Sequence, residues 1–121
     1  MALKLFYGTL TLVPHEAPEL EGATFVEAVR TAPKYRLFSL DEFPALLEHE
    51  RGVSIDGELW EVPDGRWQAL LLDEPPGYYV AQIELDDGRL IDGMAPPAEA
   101  VAARGVDVSR FGSWKAYKAA S

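Results

Sequence analysis

The chain of 121 residues contains no cysteine and no long apolar run. Without cysteine, disulfide bonds, thiolate zinc sites and cysteine nucleophiles are all excluded. No stretch approaches the roughly 20 apolar residues that cross a bilayer, and the N-terminus lacks the apolar segment of a signal peptide. From these absences we expect a cytoplasmic protein that does not enter a membrane.

Positive charge is also scarce. The chain has 20 acidic and 11 basic residues, which gives a net charge of −9 at pH 7. Because no Lys/Arg cluster offsets this charge, nucleic acid and anionic membrane surfaces are not expected as partners. The only two histidines, His15 and His49, are far apart in sequence and have no helical pairing, so no metal site is predicted. No cofactor is predicted either.

Most of the chain has strand patterns. Apolar alternation predicts strands over residues 3–12, 23–31, 34–39 and 53–62, and a hairpin formed by 78–85 and 89–94. The hairpin signal is Asp86-Asp87-Gly88, a tight-turn sequence. Prolines predict a loop over 13–21, and residues 43–46 are predicted to be an irregular apolar segment that fills the core.

Two short helices are predicted near the C-terminus. One runs from Pro96 to Gly105, where the glycine stops it, and the other from Phe111 to Lys118 after a cap at Asp107 or Ser109. The segment 66–72 fits either a helix or a strand. Many short strands with few helices predict a closed or nearly closed sheet in a single α+β domain over residues 1–121.

The run Tyr7-Gly8-Thr9-Leu10 closes the first apolar strand. A glycine where a strand ends lets the backbone turn and leaves N–H groups free for a carboxylate or carbonyl oxygen. A second run, Leu72 to Tyr79, has the outline of a loop that would face the first. Together the two loops predict a pocket whose ligand-binding residues are Tyr7, Gly8, Thr9, Leu10 and Tyr79.

Tyr7-Gly8-Thr9-Leu10 resembles the opening loop of the gamma-glutamylcyclotransferase-like superfamily. The resemblance continues, in order, through Ala32–Leu37, Phe43–Leu46 and Val53–Trp60. It implies a mostly antiparallel mixed β-barrel with short flanking helices.

A narrower resemblance is to the C-terminal domain of allophanate hydrolase. It rests on Asp107–Tyr117, on Thr31–Leu37 and on the hairpin that ends in Asp87-Gly88. It implies a stand-alone relative of that domain, without the amidase domain that precedes it there.

In both resemblances, this chain differs from the family at the residue that carries out the chemistry. The cyclotransferase pattern Leu-Asp-x-x-Glu-Gly supplies a glutamate as general base. In the matching run Leu72–Gly77, Pro76 occupies the glutamate position, and Glu74 is the only nearby acid that could act as the catalytic residue. In the allophanate hydrolase domain a first-loop histidine is implied to matter in breaking down a carbamate, and Thr9 stands at that position.

Three hypotheses remain open from the sequence. The first is a protein that binds a small carboxylate, amide or carbamate in the predicted pocket. The second is a cyclotransferase with a rebuilt active site that uses Glu74. The third is a non-catalytic partner module of a separate amidase, which would dock through exposed aromatic residues at Phe111, Trp114 and Tyr117. His15 and Glu58 are expected to face solvent, and the oligomeric state stays open.

Overall fold

A computed structural model describes residues 2–120 of the chain, except for the side chain of Glu19. Eight strands and three α-helices follow one another in an α+β arrangement: β1 (Ala2–Phe6), β2 (Thr24–Arg30), β3 (Tyr35–Leu40), β4 (Phe43–Glu48), β5 (Asp56–Val62), α1 (Asp64–Leu72), β6 (Tyr79–Glu84), β7 (Leu90–Ala95), α2 (Ala98–Arg104), β8 (Val106–Asp107) and α3 (Trp114–Ala120). None of the helices within this range is long and apolar enough to cross a bilayer.

The strands form two sheets. The larger has the order β2-β5-β1-β7-β6, and the smaller has the order β4-β3-β8. Neighbouring strands run antiparallel except β1 and β7, which are parallel with Lys4 opposite Asp92. The strand β1 is therefore central, and its end delivers Tyr7 and Gly8 to the space between the sheets.

The larger sheet is not closed into a barrel. Its edge strands β2 and β6 meet only where each ends, through Ala32 N–H to Glu84 O at 2.9 Å and Asp86 N–H to Arg30 O at 3.0 Å. The expected barrel is therefore corrected to two sheets, one of them with edges that touch at one end. A strand's own alternation identifies the strand but not its partner across a distant edge, which explains the difference.

The first and fourth strands differ from the sequence prediction. The first ends at Phe6, because Gly8 O accepts both Thr11 N–H at 2.9 Å and Thr11 Oγ1 at 2.6 Å in a 3-10 turn over Thr9–Leu12. The segment from Phe43 is a regular strand rather than an irregular plug. It lies at the edge of the smaller sheet, where Pro44 needs no partner for a missing N–H.

The C-terminal half follows the prediction more closely. The hairpin of β6 and β7 is confirmed, and its turn is closed by Gly88 N–H to Leu85 O at 3.0 Å with Gly88 at φ +91°. The helix α2 ends before Gly105, as predicted. The cap of α3 is Ser113, whose Oγ accepts Ala116 N–H at 3.0 Å, whereas the predicted cap Ser109 accepts Leu37 N–H at 2.7 Å.

Among the described residues the core has three clusters, and alternation along β1 places adjacent residues in two of them. Leu5 points into the main cluster between the sheets, with Leu37 and Leu59. Phe6 points to the opposite face, where Trp60 and other apolar residues are covered by α1. Because α1 covers this face only in part, a cavity remains where β1 ends.

Candidate functional site

The cavity has a volume of about 260 Å³ and lies at the end of β1. Four parts of the chain form its walls: the end of β1 with the 3-10 turn, the start of β4, the end of α1 with the loop that follows, and Met94 of β7. The lining residues are Leu5, Phe6, Tyr7, Gly8, Thr9, Leu10, Phe43, Pro44, Trp67, Leu70, Leu71, Asp73, Glu74, Pro75, Tyr78 and Met94. The two loops singled out in the sequence therefore lie on one cavity.

Tyr7 forms the inner wall, and its hydroxyl is used by the protein itself. The phenol donates to Met94 O at 2.6 Å and accepts Leu46 N–H at 3.2 Å. Burial raises the pKa of Tyr7 well above its usual range, so the hydroxyl stays protonated and keeps this donor role. Tyr7 thus presents its ring to the cavity, while its only proton is given to the backbone.

Gly8 has a packing role that the sequence did not reveal. A Cβ at this position would lie 2.2 Å from Pro44 Cγ, so only glycine lets the two sheets approach this closely. No side chain of residues 2–120 caps the 3-10 turn that begins next to it, and the backbone N–H groups of Thr9 and Leu10 have no acceptor within that range. Both residues line the cavity, Thr9 at its exposed edge.

Glu74, the acid named from the sequence as the candidate catalytic residue, lies on the cavity wall. Burial, with a smaller contribution from the charge of Asp73, raises the pKa of Glu74 above its usual value. Pro76, at the position of the family's glutamate, is exposed and instead lines a neighbouring recess of about 290 Å³. The loop therefore presents the acid two residues earlier than the family pattern implies.

Tyr78 lines the cavity, whereas Tyr79, predicted from the sequence to bind ligand, does not. Tyr79 begins β6, is 53% exposed and lies outside the cavity. The Tyr78 hydroxyl donates to Pro44 O at 3.0 Å, and burial raises the pKa of Tyr78 to about 12, with smaller contributions from Glu74 and Asp41. Adjacent residues point to opposite sides, so a shift of one position exchanges their roles.

Trp67 is one of the α1 residues in the cavity wall, and a lysine lies against its ring. The Lys4 ammonium lies 4.6 Å from the centre of the indole ring and 3.1 Å from Asp92 Oδ2. The Lys4 side chain is only 10% exposed. The Lys4 ammonium of this partly buried pair lies against one face of the tryptophan, and Lys4 itself is not among the residues that line the cavity.

The two histidines lie away from the cavity. His15 is exposed, as expected, with 48% of its side chain accessible, while its ring stacks on Phe25 at 4.4 Å and its Nε2 lies 3.4 Å from Glu58 Oε2. Glu58, also expected to be exposed, accepts Trp60 Nε1–H at 3.1 Å, and its side chain is 19% exposed. His49 is exposed, and its Nδ1 accepts Arg51 N–H at 3.0 Å.

The aromatic residues near the C-terminus do not form an exposed surface. Trp114 is 2% exposed and belongs to the main core, and its ring lies 5.1 Å from that of Tyr117. Phe111 and Tyr117 are partly buried against the same core. Trp114, one of the three residues predicted to form an exposed docking surface, is therefore not exposed, and docking to a separate amidase stays a prediction. Within residues 2–120 no group of three His, Asp or Glu side chains is arranged to hold a metal ion.

Much of the cavity wall consists of residues that the sequence analysis did not select for the site, such as Phe6, Phe43 and Trp67. Trp67 belongs both to the core and to the cavity wall. A firm helix assignment for residues 64–72 could have found it, because positions 67, 70 and 71 share one helix face. No local signal marks Phe43, whose place depends on the packing of the two sheets.

Comparisons with known proteins agree with this fold. The model of the family "Allophanate hydrolase C-terminal domain" matches residues 14–119. A solved structure of a uropathogenic E. coli-specific protein has 30% identity and a TM-score of 0.84, with 98% of this chain and 95% of that chain covered. A search of curated proteins finds no match.

Two larger yeast proteins contain the same fold. Kluyveromyces lactis allophanate hydrolase has 21% identity and a TM-score of 0.85, with 98% of this chain and 21% of that chain covered. Kluyveromyces lactis urea amidolyase has 20% identity and a TM-score of 0.83, with 98% of this chain and 8% of that chain covered. The chain thus spans only a small part of either protein. The gamma-glutamylcyclotransferase-like fold implied by the first resemblance is confirmed, except that the larger sheet is not closed into a barrel. The match over residues 14–119 shows that the chain belongs to the family of the allophanate hydrolase C-terminal domain.

Proposed function

We propose that the cavity at the end of β1 binds a small amide or carbamate. The observation that carries the proposal is the cavity itself, which joins a mostly apolar wall to a few polar groups, as small-molecule sites do. The free N–H groups of Thr9 and Leu10 suit a carbonyl oxygen. The carboxylate of Glu74 suits the N–H of the same ligand.

A free carboxylate, the third ligand predicted from the sequence, fits less well. Asp73 and Glu74 line the cavity, and no Lys or Arg of the described residues does. A buried anion needs a counter-charge or several donors, and a second carboxylate nearby raises its cost further. The acidic wall therefore favours the neutral amide and carbamate over the carboxylate.

Binding is tested by titration calorimetry and thermal shift with hydrocinnamamide and benzyl carbamate. A ligand that binds only the folded protein raises the melting temperature as its concentration increases. Leu71→Trp places a large ring on the cavity wall and should abolish the shift. Leu72→Trp is the matched control, because Leu72 is adjacent, 86% exposed and outside the cavity.

The proposal fails if neither compound shifts the melting temperature of the native protein. It also fails if Leu71→Trp and Leu72→Trp bind equally well. The melting temperature of each variant without ligand shows whether it has folded, and Leu71→Phe is a smaller substitution for use if Leu71→Trp has not.

A second candidate function, cyclotransferase turnover, is favoured by one observation. Glu74 lies on the cavity wall with a raised pKa, which suits a general base better than an exposed carboxylate does. In this reaction the carboxylate takes a proton from the substrate α-amine, the nitrogen attacks the γ-carbonyl carbon, and the amine leaves with a proton. The test is 5-oxoproline release from γ-glutamyl amines. Equal rates for the native protein and Glu74→Gln reject Glu74 as the base.

A further inference from the structure

The cavity has a one-sided chemical lining. Five aromatic and two acidic residues line it, and no Lys or Arg of the described residues does; the aromatic residues are Phe6, Tyr7, Phe43, Trp67 and Tyr78, and the acidic residues are Asp73 and Glu74. The faces of aromatic rings carry negative potential and attract cations. Rings and carboxylates therefore act in the same direction on a charged ligand.

The hydroxyl groups on this wall do not change that balance. The protons of Tyr7 and Tyr78 are donated to the backbone oxygens of Met94 and Pro44, at 2.6 and 3.0 Å. What these tyrosines offer a ligand is mainly their rings. The wall is thus rich in acceptors and negative potential, and its donors are limited to the 3-10 turn at Thr9 and Leu10.

The nearest ammonium group behind the wall is already paired. Lys4 contacts Asp92 at 3.1 Å and lies over the Trp67 ring, outside the lining of the cavity. Its charge is balanced by Asp92, and no counter-charge of the described wall balances Glu74. A cationic group of the ligand is what would complete this site.

We propose that the ligand of this cavity is an amide that also carries a protonated primary amine, with the ammonium beside Glu74 and an apolar body against the aromatic wall. This inference rests on the proposed function and names its ligand class. Desolvation of Glu74 supports it, since a partly buried carboxylate gains more from a cation than an exposed one does. The volume of about 260 Å³ is at the small end for ligand sites, and suits a compound with one ring and a short chain.

The test compares three compounds with the same phenyl body by titration calorimetry on the full chain. Phenylalaninamide has the ammonium and the amide, hydrocinnamamide has the amide alone, and hydrocinnamate has a carboxylate in its place. We expect phenylalaninamide to bind at least about tenfold more tightly than hydrocinnamamide, as a charge-assisted contact in a partly buried site provides. Hydrocinnamate should bind most weakly.

Glu74→Gln should weaken phenylalaninamide binding more than hydrocinnamamide binding, and so remove the difference between the two amides. Glu99→Gln is the matched control, because Glu99 is exposed on α2 and outside the cavity, and it should keep the tenfold difference. Equal binding of the two amides to the native protein overturns the inference and leaves the proposed function standing. A tenfold difference that survives Glu74→Gln also overturns it. Failure of both amides to bind overturns the proposed function, and the inference with it.

Discussion

Tyr7→Phe removes a hydroxyl that serves two backbone groups in the core. In the native protein this hydroxyl donates to Met94 O at 2.6 Å and accepts Leu46 N–H at 3.2 Å. Water does not easily replace it, because Tyr7 is 5% and Leu46 3% exposed. A buried backbone group left without a partner costs about 1–3 kcal/mol. With two such groups, the free energy of unfolding should fall by about 2–4 kcal/mol.

The measurement is urea denaturation followed by circular dichroism, which reports the midpoint and the slope separately. The midpoint should fall while the slope stays constant, since the fold is unchanged. Tyr79→Phe is the matched control: Tyr79 is 53% exposed, and its hydroxyl makes no hydrogen bond within residues 2–120. The control should change the free energy of unfolding by less than about 0.5 kcal/mol.

The effect of pH gives this prediction a second test. Burial raises the pKa of Tyr7, so the folded state disfavours the phenolate. The native protein should therefore lose stability as the pH rises above the ordinary tyrosine pKa of about 10, and Tyr7→Phe should lose less. Between pH 6 and about pH 9 the difference should be constant. A loss below about 1 kcal/mol at pH 7, or one equal to that of Tyr79→Phe, would refute the role given to this hydroxyl.

Three further predictions concern the surroundings of the cavity. Gly8→Ala should lower the free energy of unfolding by about 1–3 kcal/mol in thermal melting, because its Cβ would lie 2.2 Å from Pro44 Cγ. Adding Pro44→Ala should restore part of the loss. No recovery would show that the contact is not the cause. Asp92→Asn should destabilise the protein more than Lys4→Met. Asp92→Asn leaves the 10% exposed Lys4 ammonium without its carboxylate, whereas Lys4→Met leaves Asp92, which is 38% exposed and reached by water. The reverse order in urea denaturation would contradict this. Glu74→Gln should stabilise the protein at pH 7 and not at pH 3. Burial raises the pKa of Glu74, so the native protein loses stability as the pH rises through that pKa. An equal effect at both pH values would exclude the ionisation of Glu74 as the cause.

The sequence was most informative where a structure is specified locally. The β6–β7 hairpin depends on alternation and on a turn that ends in Gly88, and both lie within a short stretch. The strand at Phe43 was missed because Pro44 argues against a strand unless it is known to lie at a sheet edge. Closure of the larger sheet was misjudged because contact between β2 and β6 depends on how all five strands twist together.

The candidate site, like the fold, was predictable from the sequence only in part. Glycine at the end of a strand and an acid-rich proline loop led to the two segments that line the cavity. The choice between Tyr78 and Tyr79 needed the register of β6, which the sequence fixes only to within a residue. The contributions of Trp67 and Phe43 come from a helix and a second sheet whose positions are set by packing across the core.

The close approach of Gly8 and Pro44 has a consequence for how the cavity would bind a ligand. Main chain and a proline ring, neither of which can change rotamer, set the distance between the two sheets at the entrance. Because this part of the protein has little conformational freedom to lose when a ligand binds, the affinity depends mainly on how well the shape of the ligand matches the preformed cavity. Ligands are then expected to differ chemically where they contact the other side chains of the cavity wall rather than where Gly8 and Pro44 meet.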